Sequence, residues 1–253
     1  MKEYLVFTLA APLASFGAVA VGERRPTWDR PSKSQVLGLI AGALGIERTE
    51  ETRQNELAAS LGFAVRVDSA GTVQTDYHTT QVPPARRNRR FATRADELAV
   101  ANTELRTILS RRELRSGSHY TIALWASGAQ PLLPGFGDIA TALKAPVFTP
   151  FAGRKANVLM LPMTPRVVSA DDVTAAFTLY DSGETDTQKQ LQKDYWLIPR
   201  QSDARIYADA DSVPRQLTDR IEQRRDIPES RAKWRFGLRA EALLKPTKLG
   251  DRA

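Results

Sequence analysis

Tyr77 and His78 stand side by side in the stretch DYHTTQ, which opens onto a run of arginines. Histidine titrates close to neutral pH and can act as acid or base. Metal-independent cleavage of RNA needs a base and an acid beside a stabilised phosphate, so this pair is the one catalytic constellation in the chain. A histidine at a strand end that hydrogen-bonds a backbone group or a phosphate is the plainer reading of the same residues. His119, the other histidine, follows Gly117 at the start of an apolar strand and reads as structural. Neither histidine belongs to an HExxH pattern. The chain has no cysteine, which excludes disulfides, thiolate catalysis and cysteine-bound zinc. GxGxxG, GxxxxGK[ST] and GxSxG are absent, which argues against dinucleotide binding, P-loop hydrolysis and a nucleophile elbow. The carboxylates form no pattern that assigns one to acid or base work. The expectation is a chain without metal or cofactor.

The second chemistry is anion binding. Residues 24–46 read RRPTWDRPSKSQVLGLIAGALGI. Ser32 with Gln35 predicts a helix cap; Val36, Leu37, Leu39, Ile40, Ala43 and Leu44 form a wide apolar face that ends at Gly45. Such a buried helix holds the loop before it, which delivers Arg24, Arg25, Arg30, Lys33 and Ser34 beside free N–H groups and the positive end of a helix dipole. Phosphate is the natural ligand, and Trp28 offers a stacking platform. Gly153-Arg154-Lys155 supplies a second candidate turn, where glycine allows close approach of backbone to a phosphate. Arg86, Arg87, Arg89 and Arg90 supply a third. Lysine and arginine outnumber aspartate and glutamate by 36 to 29. Residues 84–115 alone hold nine arginines against four carboxylates, so one segment provides most of the surplus. A basic balance of this kind suits nucleic acid or an anionic surface. Cations that merely solvate loops remain the alternative.

The elements that must position these groups follow from periodicity. A buried strand is expected over 4–9, the capped helix next, a short helix over 52–61, a half-buried strand over 63–68 and an extended piece over 73–79. The core pattern stops at Pro83-Pro84 and resumes in a strand over 119–126, a helix over 136–143 and an apolar strand over 158–163. Without the basic excursion the order is strand, helix, strand, strand, helix, strand. That is an α+β, ferredoxin-like arrangement, the one RNA-recognition (RRM-like) modules use. The arginine segment, about 80–117, becomes an inserted arm with a helix capped by Asn102 or Thr103 and running to Arg112. Disorder of the arm until a partner binds is the other option. Residues 1–165 then form the RNA-binding domain, and 166–253 a small β-rich region. In that region Ser169 with Asp172 suggests a helix cap, 182–193 a polar loop and 195–199 a short strand, and KWRFGLR alternates basic with apolar residues. The opening segment reads as a strand rather than a leader, because Glu3 and Pro12 interrupt it. No apolar run reaches about 18 residues, so a soluble, cytoplasmic protein with no membrane contact is expected.

Taken in order, YLVFTLAAPLASFG, the RRPTWDRPSKSQVLGLIAGALGI loop and helix, DYHTTQ, HYTIALW, FTPFAGRK and RRDIPESRAKWRFGLR resemble the CasD family. This is the Cas-five-type subunit of the type I-E CRISPR Cascade complex. The resemblance covers roughly residues 4–238. Where relatives carry Cys-Pro after the GRK-type turn, this chain has Ala156-Asn157. The resemblance implies a RAMP-type ferredoxin-like domain with a protruding thumb and a small C-terminal β region. It implies a non-catalytic subunit of an antiviral ribonucleoprotein that caps the 5′ handle of the crRNA, touches neighbouring backbone and large subunits, and meets target DNA through the complex. On that reading Arg25, Arg30, Lys33, Ser34, Arg154 and Lys155 grip phosphates while Tyr77 and His78 stack on or hydrogen-bond splayed bases. Some relatives of another subtype are endoribonucleases, which keeps RNA cleavage by Tyr77 and His78 as the alternative. A purely structural assembly subunit, its cations facing acidic proteins, is the third reading.

Overall fold

The computed structural model describes residues 1–85, 90–128, 132, 134–185, 189–190, 204–230, 233 and 235–245. β1 (Lys2–Ala14) is buried from Tyr4 through Ala11, and its alternate residues serve two cores. Leu5, Phe7 and Leu9 meet α1 (Lys33–Ala43), α2 (Glu51–Ser60) and α4 (Phe136–Lys144) on one side of the sheet. Tyr4 and Val6 meet α5 (Val173–Ser182) on the other. β3 (Leu61–Ser69) lies between the same layers and is buried at every position. The half-buried strand expected there is corrected: α5 covers the second face, on which Arg66 bonds Asp68 at 2.7 Å and Asp181 at 2.9 Å. The sequence around 63–68 alternates because that face is polar inside, not because it is wet.

The nine-stranded sheet runs β6-β1-β5-β3-β7-β9-β8, with β2 (Arg24–Arg25) and β4 (Thr72–Val82) also paired to β5. β5 (Arg106–Ala126) is the long member. Its inner half pairs with β1 and β3; its outer half continues beyond the core and pairs with β4 from Ser116 opposite Thr72 to Arg106 opposite Val82. The chain turns from β3 into β4 at Gly71, whose φ of +68° and whose closeness to the Ser116 carbonyl exclude a β-carbon. The result is a two-stranded ribbon projecting from the sheet, with β4 exposed almost throughout. The helix expected up to Arg112 is instead strand. Thr107, Ile108 and Leu109 favour a pleated ribbon and find partners in β4, while the short helix α3 (Arg94–Leu98) is capped earlier by Thr93 and Asp96.

The fourth core strand falls at β6 (Arg166–Ala170) rather than 158–163. That earlier stretch follows β1 with isolated bonds, Met160 N–H to the Ala10 carbonyl and Thr8 N–H to the Met163 carbonyl, because Pro162 and Pro165 cannot donate to a ladder. α5 is capped by Asp172 through the Ala175 N–H at 2.9 Å, and Ser169 belongs to β6. β7 (Arg205–Asp209), β8 (Thr218–Ser230) and β9 (Arg235–Leu244) extend the sheet beyond β3. The strand expected over 195–199 lies outside the described residues, as do half of the 182–193 loop and Trp234.

Candidate nucleic-acid interface

α1 begins as its sequence predicts. Ser32 accepts from the Gln35 N–H at 3.3 Å, and the Gln35 side chain accepts from the Ser32 N–H at 2.9 Å. What lies in front of it is not a phosphate pocket. The Lys33 N–H donates to the Asp226 carboxylate at 3.0 Å and the Lys33 ammonium to Asp209 at 2.9 Å. Arg30 is buried; its guanidinium stacks 3.5 Å over the Tyr207 ring and bonds Asp29 at 2.7 Å and Glu241. Ser34 is buried, its hydroxyl 3.0 Å from that of Ser32. These three expected phosphate ligands are thus enclosed within the protein. Arg239 completes the arrangement, bonding Asp226 at 2.8 and 2.7 Å, Asp209 at 2.9 Å and Glu241 at 2.7 Å, while Arg224 donates to the Arg30 carbonyl at 3.1 Å. Arg30, Lys33, Arg224 and Arg239 balance Asp29, Asp209, Asp226 and Glu241, so the buried cluster is close to neutral. Burial pushes the Glu241 carboxyl up, but Arg30, Arg224 and Arg239 hold it below its ordinary range. Sequence reasoning left these carboxylates unassigned because the partners lie far apart in the chain.

The rest of the loop faces outward. Arg24 and Arg25 form β2 and lie in parallel register with Arg111 and Arg112 of β5. Phe16 N–H bonds the Thr27 hydroxyl at 2.8 Å, Thr27 N–H bonds Glu113 at 3.1 Å, and Trp28 N–H bonds the Phe16 carbonyl at 2.7 Å, which fixes the loop to the ends of β1 and β5. Trp28 is half-exposed, its ring 5.2 Å from the Arg224 guanidinium and its carbonyl bonded by Arg115 at 2.7 Å.

Strand geometry divides the remaining candidates. Neighbours in a strand point to opposite faces, so Tyr77 and His78 part company. With Asp76 opposite Arg112, Tyr77 opposite Arg111 and His78 opposite Ser110, one face of the ribbon carries Arg25, Asp76, His78, Ser110 and Arg112. The other carries Arg24, Thr75, Tyr77, Arg111 and Glu113, and Arg24 pairs with Glu113 at 3.4 Å. Tyr77 and His78 therefore do not form an acid–base pair on one substrate atom. His78 is bonded instead to Asp76 through Nε2.

Arg154 joins the His78 face from the turn over 152–157. Ser15 N–H bonds the Ala152 carbonyl at 3.0 Å, and Asn157 N–H closes the turn on the Arg154 carbonyl at 2.8 Å. Gly153 has φ +89°, and a β-carbon on it would overlap the Ser15 carbonyl oxygen. Asn157, buried and donating to the Ala152 carbonyl at 3.2 Å, shapes the turn. Burial and then the charge of Arg112 hold the Arg154 guanidinium below its ordinary range, with Asp76 opposing them. Cations crowded against one another in this way favour an anion. Lys155 is exposed beside Arg154, and Arg90 is exposed near the ribbon's far end. Arg86, Arg87 and Arg89 lie outside the described residues. Asp76, Arg111 and Arg112 were missed as site residues; the signal for them was the cross-strand register, hidden while 103–112 read as helix. His119 is buried inside β5.

The family described as CRISPR-associated protein (Cas_Cas5) matches residues 4–240. The chain belongs to the Cas5 family. Among relatives of this Cas5-family chain, the CRISPR system Cascade subunit CasD of Escherichia coli (strain K12) is 29% identical over 189 residues, spanning 72% of this chain and 78% of its own. A chain of a solved CRISPR RNA-guided surveillance complex superposes with a TM-score of 0.59 at 21% identity, covering 97% of this chain and 92% of that one. A crystal structure of a Cas protein superposes at 0.57 with 24% identity, covering 96% and 95%. The mixed α/β fold with one large antiparallel sheet is thus shared within the family. Among the described residues of this Cas5-family chain, no helix is long and apolar enough to cross a membrane, and no cluster of histidine, aspartate or glutamate is arranged to hold a metal.

Proposed function

We propose that this chain is a Cascade subunit that holds the 5′ handle of the crRNA and caps one end of a cytoplasmic surveillance complex. The observation that carries the reading is the exposed ribbon face that Arg25 and Arg112 share with Asp76 and His78 and that Arg154 approaches, in a chain similar to an E. coli Cascade subunit. The strand order β6-β1-β5-β3, with α1 after β1 and α4 after β5, supports a ferredoxin-like reading whose fourth strand, β6, carries the domain past residue 165 to Ala170. The ribbon and its tip are the thumb, and β7–β9 are the core of the C-terminal region. Phosphates of the handle cross the Arg25, Arg112, Arg154 and Lys155 face, and a base reaches His78. Tyr77, with Arg24 and Arg111 on the opposite face, and Trp28 stack on further bases. Arg30, Lys33 and Ser34 hold the loop in place from within. The ribbon's far end, near Arg90, reaches the neighbouring backbone subunit and the guide; target DNA is met through the assembled complex.

The test is co-purification of crRNA with the assembled complex. The double variant Arg112→Ala, Arg154→Ala should lose most of the retained crRNA while remaining folded; full retention at physiological salt contradicts the reading. A second reading is favoured by the bond from Asp76 to His78 beside Arg112: metal-independent cleavage of repeat RNA with His78 as base. Fixed-length cleavage in chelator that vanishes in His78→Ala would replace the binding role with that one.

A further inference from the structure

Asp76 is out of keeping with the face it occupies. The other charged side chains that β2 and β5 bring to that face, Arg25, Arg106 and Arg112, are cations, and Arg154 adds another. A carboxylate in their midst repels a phosphodiester, so phosphate binding gives no reason for it. Half-exposed at 48%, it is also poorly placed to stabilise the fold, since ion pairs in that setting contribute little.

Its geometry points to another kind of contact. Asp76 Oδ2 accepts from His78 Nε2. This bond ties the carboxylate to the ribbon and, among the described residues, leaves Oδ1 to accept from outside. An ionised carboxylate accepts and never donates. On single-stranded RNA the groups able to donate to it are the ribose 2′-hydroxyls, which every nucleotide carries, and base-edge N–H groups, of which the exocyclic amines differ from base to base. Cytosine offers its N4 amine at the corner of the base, where uracil offers the O4 carbonyl; the one base-edge donor of uracil, N3–H, is flanked by two carbonyl oxygens that repel a carboxylate.

We infer that Asp76, held by His78, reads an unpaired nucleobase through its exocyclic amine and rejects uracil, while the arginines around it hold the adjoining phosphates. The inference rests on the RNA-binding reading above and adds to it a residue that selects among bases. Positioning of the base is then shared between a neutralised backbone on Arg112 and Arg154 and one directional acceptor on β4.

Binding of labelled octamers of cytidylate and uridylate to the full-length protein, followed by fluorescence anisotropy at one fixed salt concentration, tests it. The two oligomers differ at positions 3 and 4 of the base, the edge that would face Asp76. Cytidylate should bind about tenfold more tightly, the scale of one good base contact. Asp76→Asn, whose amide both donates and accepts, should bring the two within about twofold without lowering the melting temperature. Arg112→Ala should weaken both alike. Binding of both oligomers with no preference, or a preference that survives in Asp76→Asn, overturns the inference and leaves the RNA-binding reading standing. Failure of both oligomers to bind at low salt overturns the two together.

Discussion

Arg112 and Arg30 illustrate how residues of one type divide between two jobs. Arg112 lies exposed on a ribbon with Arg25 opposite and Arg154 nearby; Arg30 is buried between Glu241, Asp29 and Tyr207. Removing each should therefore read out differently. Arg112→Ala should weaken binding of single-stranded RNA and reduce the slope of log K against log salt by about 0.7, the change expected when one fewer phosphate is neutralised, with unfolding by urea unchanged. Arg30→Ala leaves Glu241 buried without its nearest cation and should destabilise the protein by about 3–5 kcal/mol, measured by urea unfolding. A variant Arg30→Ala as stable as the parent would contradict the assignment. The residue types that bind anions were legible in the sequence. Which of them would face water was not, because the carboxylates that bury Arg30 and Lys33 come from β7, β8 and β9, well over a hundred residues later.

The loop, α1 and the β8–β9 hairpin behave as one unit through that buried cluster. Arg30, Arg224 and Arg239 hold the Glu241 carboxyl below its ordinary range against the effect of burial. A carboxylate with a depressed folded value contributes stability that is present above about pH 4.3, the unfolded value, and is lost as pH falls through the folded one. Stability measured in urea should accordingly drop below about pH 4.3, and Glu241→Gln should flatten that part of the profile while lowering stability above it. Disruption of the turn that presents Arg154 belongs to the same scale. Gly153→Ala forces a β-carbon against the Ser15 carbonyl at φ +89° and should weaken RNA binding through Arg154, with hydrogen exchange at Ser15 and Asn157 accelerated. α1 was readable to the residue from Ser32 and Gln35 because a cap is a local motif. The outer half of β5 was not, because Thr107, Ile108 and Leu109 become strand only through pairing with β4, whose register is set from the sheet.

At the scale of the molecule, the sheet and its two helical layers carry the stability, and the ribbon carries surface. β4 buries almost none of its side chains, and Val82 stands directly opposite Arg106. Replacing residues 83–105 with an Asn-Gly turn, which suits that register, should move the melting temperature by less than about 3 °C, the equivalent of roughly 1 kcal/mol for a chain of this size. The same variant should fail to hold the neighbouring subunit when the complex is assembled, as seen by native mass spectrometry. The order of core elements from β1 to α4 was legible because each has its own apolar period, whereas the fourth core strand, expected over 158–163, falls at β6. The single sheet that joins β6 to β8 was not, since strand neighbours distant in sequence leave no local trace.

The central claim, that the Arg25, Arg112 and Arg154 face receives the leading nucleotides of the guide, is tested most directly by photo-crosslinking. One 4-thiouridine would be moved stepwise along the crRNA of the assembled complex, and the adducts mapped by mass spectrometry. The account predicts adducts from the 5′ handle on peptides holding residues 24–28, 76–80, 110–112 and 154–155. Adducts on those peptides from the 3′ end alone, or handle adducts confined to other surfaces of the chain, would contradict it.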